Sequence, residues 1–336
     1  MTSAQAEARA VTGPQAPHGQ LVDDQRPLVS VLVPAKDEAD NLPLFMEQAA
    51  ATFATSPGKY EVIVVDDGSV DDTWRVLDTL VGQYSFLRAV RHRARRGIAE
   101  SLRTGYLNSS GSVLVFYPAD LQYKPEDIPR LVAPIEAGAS DMVTGYKQGE
   151  YDKAFVSGVY NRLSRSLFNV PVRDLNSVKA YRREVMLGVP LRPDWHRYMV
   201  VIAAADGFRL DSLPVPLYPR RAGTSKFNWR RIPVGFFDLV AVWFQLRFGR
   251  KPMLFFGISG AVLFVIGFLA GVTALVLRFG YGFGFRPLLN LVETMVISGI
   301  VLFGFWLLGE MIAGMQEESR EMARALARLD KIELRD

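Results

Sequence analysis

The chain has 336 residues, room for one large domain or two smaller ones, and close to half of them are apolar, so a sizeable core is expected. The net charge of +4 is modest, and the basic run "RHRARR" (91–96) has no interleaved aromatics or known module around it, which argues against nucleic acid as a partner. The absence of cysteine excludes disulfides and thiol chemistry and fits a reducing compartment.

Residues 1–26 are rich in Ala, Gly, Pro and Gln and lack the apolar centre of a signal peptide, so a disordered tail is expected. From Leu28 onward, apolar runs alternate with helical patterns. "LVSVLVPA" (28–35), "YEVIVVDD" (60–67), "LRAVRH" (87–92), "SVLVFYPAD" (112–120) and "SDMVTGY" (140–146) read as strands buried on both faces. The segments between them carry helical spacing. The expected architecture is an α/β domain over 27–228, doubly wound on a mostly parallel sheet, with ligands at the carboxyl ends of its strands. After Tyr146 comes a helical stretch, "AFVSGVYNRLSRSLFNV", then "VRDLNSVKAYRREVM" and a Pro-rich segment with a basic tail.

Residues 229–251 form an amphipathic helix, basic at both ends, with the composition of a helix lying in a membrane interface; packing on the catalytic domain is the competing reading. Residues 252–279 and 287–315 are long and apolar enough to be two transmembrane helices joined by a short loop. Basic residues cluster before the first span and after the second, which places both ends of the chain in the cytoplasm. Residues 316–336 read as a charged cytoplasmic helix, available for contacts between copies of the chain.

Polar residues follow the apolar runs. The first strand delivers Lys36, Asp37 and Glu38, and the second delivers Asp66 and Asp67 before a Gly-Ser turn. A strand-end carboxylate can accept hydrogen bonds from a ribose or a base, whereas Asp71 and Asp72 read as helix caps. No glycine-rich phosphate loop follows the first strand, so a nucleotide's diphosphate needs a metal or basic side chains. Asp120 and Gln122 offer a carboxylate and an amide oxygen suited to a hard cation, Mg²⁺ or Mn²⁺. In "RRAGTSK" (220–226), Arg220, Arg221 and Lys226 flank a small turn, fit either to clamp phosphate or to attract anionic lipid.

The ordered segments "VSVLVPAKDEADNL", "EVIVVDDGSVDDT", "RRGIAESLRTGY", "PADLQYKPEDIPRLV", "VRDLNSVKAYRREV" and "PRRAGTSKF" resemble glycosyltransferase family 2. The likeness covers about residues 28–250 and is greatest to the polyprenyl-phosphate branch, which includes dolichol-phosphate mannose synthase and bacterial enzymes loading undecaprenyl phosphate. It implies a GT-A fold, a nucleotide-sugar donor such as GDP-mannose or a UDP-hexose, a polyprenyl-phosphate acceptor and inversion at the anomeric carbon. By motif, Pro34, Lys36 and Glu38 would line the base pocket, Asp66 and Asp67 would hold base and ribose, and Asp120 with Gln122 would hold the metal. Arg220, Ser225 and Lys226 would bind phosphates near the membrane. Asp174 matches an acceptor-side acidic position, and Arg103 matches the motif after the third strand.

One departure stands out: where the family reads Asp-x-Asp-x-Gln, this chain has Pro118 as the first residue, which removes a carboxylate ligand. The "LNSV" after Asp174 also differs from the family's commoner sequence. Because a lipid phosphate is already anionic, no essential general base is expected. A processive polysaccharide synthase would carry a Gln-x-x-Arg-Trp motif, which does not occur here. A catalytically degenerate membrane scaffold is the alternative from another class.

Overall fold

The computed structural model describes residues 28–148, 167–168, 170, 174–188, 195–219, 231–249, 251–282, 284 and 286–333. The tail 1–26, most of "AFVSGVYNRLSRSLFNV" and the whole of "RRAGTSK" lie outside them. The chain divides into two compact units, residues 1–165 with 170–224 and residues 166–169 with 225–336.

The first unit is built on a seven-stranded sheet. Strands β1 (Leu28–Ala35), β2 (Lys59–Asp66), β3 (Leu87–Arg91), β4 (Val113–Phe116) and β5 (Met142–Gln148) alternate with helices α1 (Leu42–Thr55), α2 (Thr73–Gln83), α3 (Ile98–Leu107) and α4 (Ile128–Glu136). These are the strands and helices expected from the apolar runs. Val31, Val33, Val62, Val64, Val113 and Val115 are buried, as a sheet covered on both faces requires.

Two strands lack such a signal. β6 (Lys179–Arg182) and β7 (Leu210–Pro216) complete the order β3-β2-β1-β4-β6-β5-β7, with β6 antiparallel to both of its neighbours. β6 is short and includes a lysine and an arginine, and β7 contains Pro214 and Pro216. Proline is tolerated there because β7 is an edge strand, where an imide nitrogen can face away from the ladder. Short helices α5 (Arg183–Gly188) and α6 (Met199–Ala205) lie between these strands.

A carboxylate staples the late strands together. Asp141 accepts from Arg209 Nε at 3.0 Å and Nη2 at 2.9 Å, and Arg182 Nε lies 3.1 Å away. The hydrogen bonds from Arg209 outweigh burial and hold the Asp141 carboxyl below its ordinary value. Asp141→Asn is therefore expected to lower the melting temperature by a few degrees at pH 7, with little effect at a pH acidic enough to protonate the native carboxyl. Thermal melts across pH check this.

The second unit carries α7 (Arg231–Phe248), α8 (Phe256–Tyr281) and α9 (Arg286–Glu333). Phe244 and Phe248 of α7 form an aromatic cluster with Phe255, and Phe244 also meets Phe256 at the start of α8. α8 and α9 are long and apolar enough to cross a membrane, and little of either is buried, unlike the core helix of a soluble domain. The second span and the charged C-terminal helix, expected as separate elements, form one helix of 48 residues. No Gly or Pro interrupts it after Gly314. At about 1.5 Å per residue it greatly exceeds the hydrocarbon thickness, so part of it must project beyond any bilayer it spans.

Glycines let the hairpin close. A Cβ on Gly260 would stand 2.9 Å from the Gly299 carbonyl oxygen, and one on Gly299 would stand 2.9 Å from that of Gly260. Small residues permit this backbone approach between membrane helices. Gly299→Leu is expected to force them apart at a cost of about 1–3 kcal/mol, read as a lower unfolding midpoint in detergent.

Candidate active site

The exits of β1 and β2 are laced together. Asp37 adopts a left-handed conformation with φ 57°, and its backbone N–H donates to Ser69 Oγ at 2.9 Å. Lys36 Nζ donates to the Gly68 carbonyl at 2.8 Å and to Asp37 Oδ1 at 3.0 Å. The Glu38 N–H donates to Thr73 Oγ1, while its carboxylate accepts from Asn41 Nδ2 at 2.7 Å. Pro34 is half-buried at the end of β1. Lys36 and Glu38 thus shape the loop; neither simply projects from it. Asp71 accepts from the Thr73 N–H at 3.0 Å, while Asp72 occupies the N-cap of α2 without a side-chain cap bond, so the expected capping falls to Asp71.

Asp66 is fully buried at the end of β2. Its Oδ1 accepts from the Ser69 N–H at 2.8 Å, and Arg91 Nε lies 3.2 Å from Oδ2 without hydrogen-bond alignment. Asp67 anchors the following loop. Its Oδ1 accepts from the Arg96 N–H at 2.7 Å, Oδ2 accepts from the Gly97 N–H at 2.8 Å, and His92 Nδ1 lies 2.9 Å from Oδ1. Since a carboxylate only accepts, His92 carries a proton on Nδ1, and its Nε2 lies 2.9 Å from Thr104 Oγ1. Burial pushes the Asp67 carboxyl up, but the hydrogen bonds from His92, Arg96 and Gly97 together outweigh it and leave it below its ordinary value. Gly68 completes the clamp at φ +66°, where a Cβ would stand 2.8 Å from the Ala94 carbonyl carbon. Sequence reasoning did not single out His92; a histidine at the end of β3 was its one visible sign.

Next along the carboxyl edge, β4 ends in the turn Pro118–Lys124. Leu121 sits at φ 57° with its side chain buried, and the flanking Asp120 and Gln122 are half-buried. A bulky residue held there costs of order 1–3 kcal/mol, a strain that other contacts must sustain. Those contacts are visible. The Tyr117 hydroxyl donates to the Lys124 carbonyl at 2.6 Å, the Gln122 N–H donates to Asp120 Oδ1 at 3.2 Å, and the Tyr218 N–H donates to the Gln122 carbonyl at 2.9 Å. The last bond ties the turn to the exit of β7, two residues before Arg220.

Among the described residues no group of three or more Asp, Glu, His or Cys side chains is placed to hold a metal ion. Asp120 and Gln122 supply hard oxygen donors from a rigid turn, which fits a divalent cation drawing its remaining ligands from a diphosphate and water.

Beyond the turn, Asp174 is buried, with Lys147 Nζ 3.6 Å from Oδ2 and the Asn176 N–H donating to Oδ1 at 2.9 Å. Arg103 stands apart from these residues: it is largely exposed on α3 and pairs with Glu100 at 3.5 Å. The sheet therefore brings Lys36, Glu38, Asp66, Asp67, Asp120, Gln122 and Asp174 to one edge. Arg220, Arg221, Ser225 and Lys226 lie outside the described residues.

The mixed, mostly parallel sheet with acidic strand ends is a GT-A-like fold. The glycosyl transferase family 2 model matches residues 30–183. The undecaprenyl-phosphate 4-deoxy-4-formamido-L-arabinose transferase of Klebsiella pneumoniae is 30% identical over 305 residues, covering 88% of this chain and 91% of the relative. The dodecaprenyl-phosphate galacturonate synthase of Rhizobium johnstonii is 29% identical over 298 residues, covering 85% and 87%. The chain belongs to glycosyltransferase family 2 and is a glycosyltransferase. Its fold is shared with Mycobacterium tuberculosis glucosyl-3-phosphoglycerate synthase, solved with Mg²⁺ and UDP, at a TM-score of 0.53, 18% identity, and coverage of 67% of this chain and 80% of that one.

Proposed function

We propose that the protein transfers a sugar from a nucleotide-sugar donor to polyprenyl phosphate at a membrane surface, with inversion at the anomeric carbon. The observation that carries this reading is the extent of the likeness to polyprenyl-phosphate sugar transferases. An alignment over 88% of the chain includes more residues than precede the first candidate span, so it takes in part of the hairpin as well as the sheet. A nucleotide-type edge in one unit and a membrane hairpin in the other suit an enzyme with one soluble substrate and one lipid substrate.

In this reading Pro34, Lys36, Glu38, Asp66 and Asp67 form the base and ribose side, directly or by shaping its walls. Asp120 and Gln122 hold Mg²⁺ or Mn²⁺, which when bound supplies Lewis-acid stabilisation to the leaving nucleoside diphosphate. Arg220, Arg221, Ser225 and Lys226 steady the phosphates, and Asp174 lies on the acceptor side. A phosphate oxygen of the lipid attacks the anomeric carbon as the bond to the nucleoside diphosphate breaks. The nucleophile is anionic at neutral pH, so no side chain has to remove a proton. With Pro118 at the position of a second carboxylate, the cation depends more heavily on the donor's own phosphates. The sheet domain and both chain ends face the cytoplasm, with α7 lying along the membrane surface and Trp243 at headgroup level.

The test is an assay of the full chain in lipid with polyprenyl phosphate and a panel of nucleotide sugars, with and without Mg²⁺ or Mn²⁺. Formation of a polyprenyl-phosphate sugar from one donor supports the reading, and no lipid-linked product from any donor rejects it.

A further inference from the structure

Lys179 is fully buried at the start of β6, and among the described residues no carboxylate lies within ion-pair distance of it. Its Nζ donates to the Ser177 carbonyl at 2.7 Å and stands 5.4 Å from the centre of the Phe116 ring, its partner across the β4–β6 ladder. The Ser177 hydroxyl in turn donates to the Tyr123 hydroxyl oxygen at 3.1 Å, and Tyr123 packs edge-on against Tyr117. Lys179 thereby flanks the strained turn on both sides without touching it: it meets the Phe116 ring just before the turn, and it holds the backbone of Ser177, whose hydroxyl bonds Tyr123 just after Gln122. Burial pushes the ammonium down to about 7, with Asp174 opposing the shift and Lys147 and Arg197 adding to it. An apolar side chain would suit this interior better, so stability does not explain a lysine here.

We propose that Lys179, acting through Ser177 and Tyr123, is a positioning residue that holds the Asp120–Gln122 turn in its cation-binding shape. The proposal rests on the transferase reading for what the turn binds. The need is acute in this chain because a single carboxylate and an amide must do the work of a larger ligand set. A turn whose ligands are placed in advance loses less order when the cation arrives.

The test uses the full chain in detergent, saturated with UDP or GDP, and measures Mn²⁺ binding by the loss of the free-ion paramagnetic resonance signal. Lys179→Met is expected to weaken Mn²⁺ about tenfold or more while melting no lower than the wild type. Tyr123→Phe, which keeps the ring and removes the hydroxyl link, should shift Mn²⁺ affinity in the same direction, and adding Ser177→Ala should bring no further loss. Hydrogen exchange in residues 118–124 should rise in each variant even without metal. Unchanged Mn²⁺ affinity and unchanged exchange in Tyr123→Phe would overturn the proposal, as would a Lys179→Met loss explained by global unfolding. A wild type that binds no Mn²⁺ and transfers no sugar would reject the proposed metal-assisted transfer to polyprenyl phosphate, and the exchange comparison alone would then decide whether Lys179 holds the turn.

Discussion

Replacing Asp120 with Ala is expected to lower sugar transfer by at least about a hundredfold and to abolish the response to added Mg²⁺ or Mn²⁺. Asp120 is the carboxylate of the β4 exit turn, and Pro118 leaves no second one on that strand end. A family member with two carboxylates could retain weakened binding after losing one, whereas this chain would be left with Gln122 and the donor's phosphates. Folding should survive, since Asp120 is half-buried and the turn is also held by Tyr117, Tyr218 and Tyr123. Initial rates over a range of metal concentration, with a melting curve beside them, separate the two effects. Full activity in Asp120→Ala would remove the metal assignment and leave the fold and family standing.

Asp67→Asn is expected to damage both stability and donor binding. The substitution turns one carboxylate oxygen into an NH₂ donor: at the Oδ2 position it faces the Gly97 N–H, and at the Oδ1 position it faces the Arg96 N–H and His92 Nδ1, so at least one donor loses its acceptor. Leaving a part-buried donor unpaired costs about 1–3 kcal/mol. The loop 93–97 would then lift from Gly68 and loosen the exits of β1 and β2, weakening UDP or GDP binding without any lost contact to metal. The pH dependence has a definite sign. The native Asp67 carboxyl is held below 3.8, so its stabilisation is present above that pH and disappears as pH falls through the native value. The variant should therefore show a flatter fall in stability through the acid range. Urea unfolding at several pH values and calorimetry with UDP or GDP measure the two consequences.

Much of the fold was legible because β1, β2 and β4 carry continuous apolar runs, as a doubly covered sheet requires. β3, read as buried on both faces, instead carries Arg88 and Arg91 and is only partly buried at the sheet edge. β6 was not legible, since Lys179 and Arg182 interrupt any apolar run, and β7 was hidden by prolines that an edge position permits. The site was legible as residue types at strand ends, but not as roles. Asp66 and Asp67 look equivalent in sequence; in three dimensions one is fully buried and bonded to the Ser69 N–H, and the other anchors the 93–97 loop. That division depends on where β3 delivers His92 and the 93–97 backbone, which no local pattern encodes. The strain at Leu121 is likewise invisible in "PADLQ", because leucine carries no signal for a left-handed turn. Lys179 was present in the quoted "NSVKAYR" segment, yet only tertiary structure reveals that it is buried and linked to Tyr123.

The central claim is that a lipid phosphate is the acceptor. The most direct measurement incubates the full chain, in vesicles containing polyprenyl phosphate, with each radiolabelled nucleotide sugar, and then extracts the lipid phase and hydrolyses it with mild acid. One labelled lipid carrying a single sugar, released by acid, is expected, formed in proportion to the polyprenyl phosphate supplied. Label that enters a growing glycan independently of polyprenyl phosphate, or no labelled lipid from any donor, would contradict the claim.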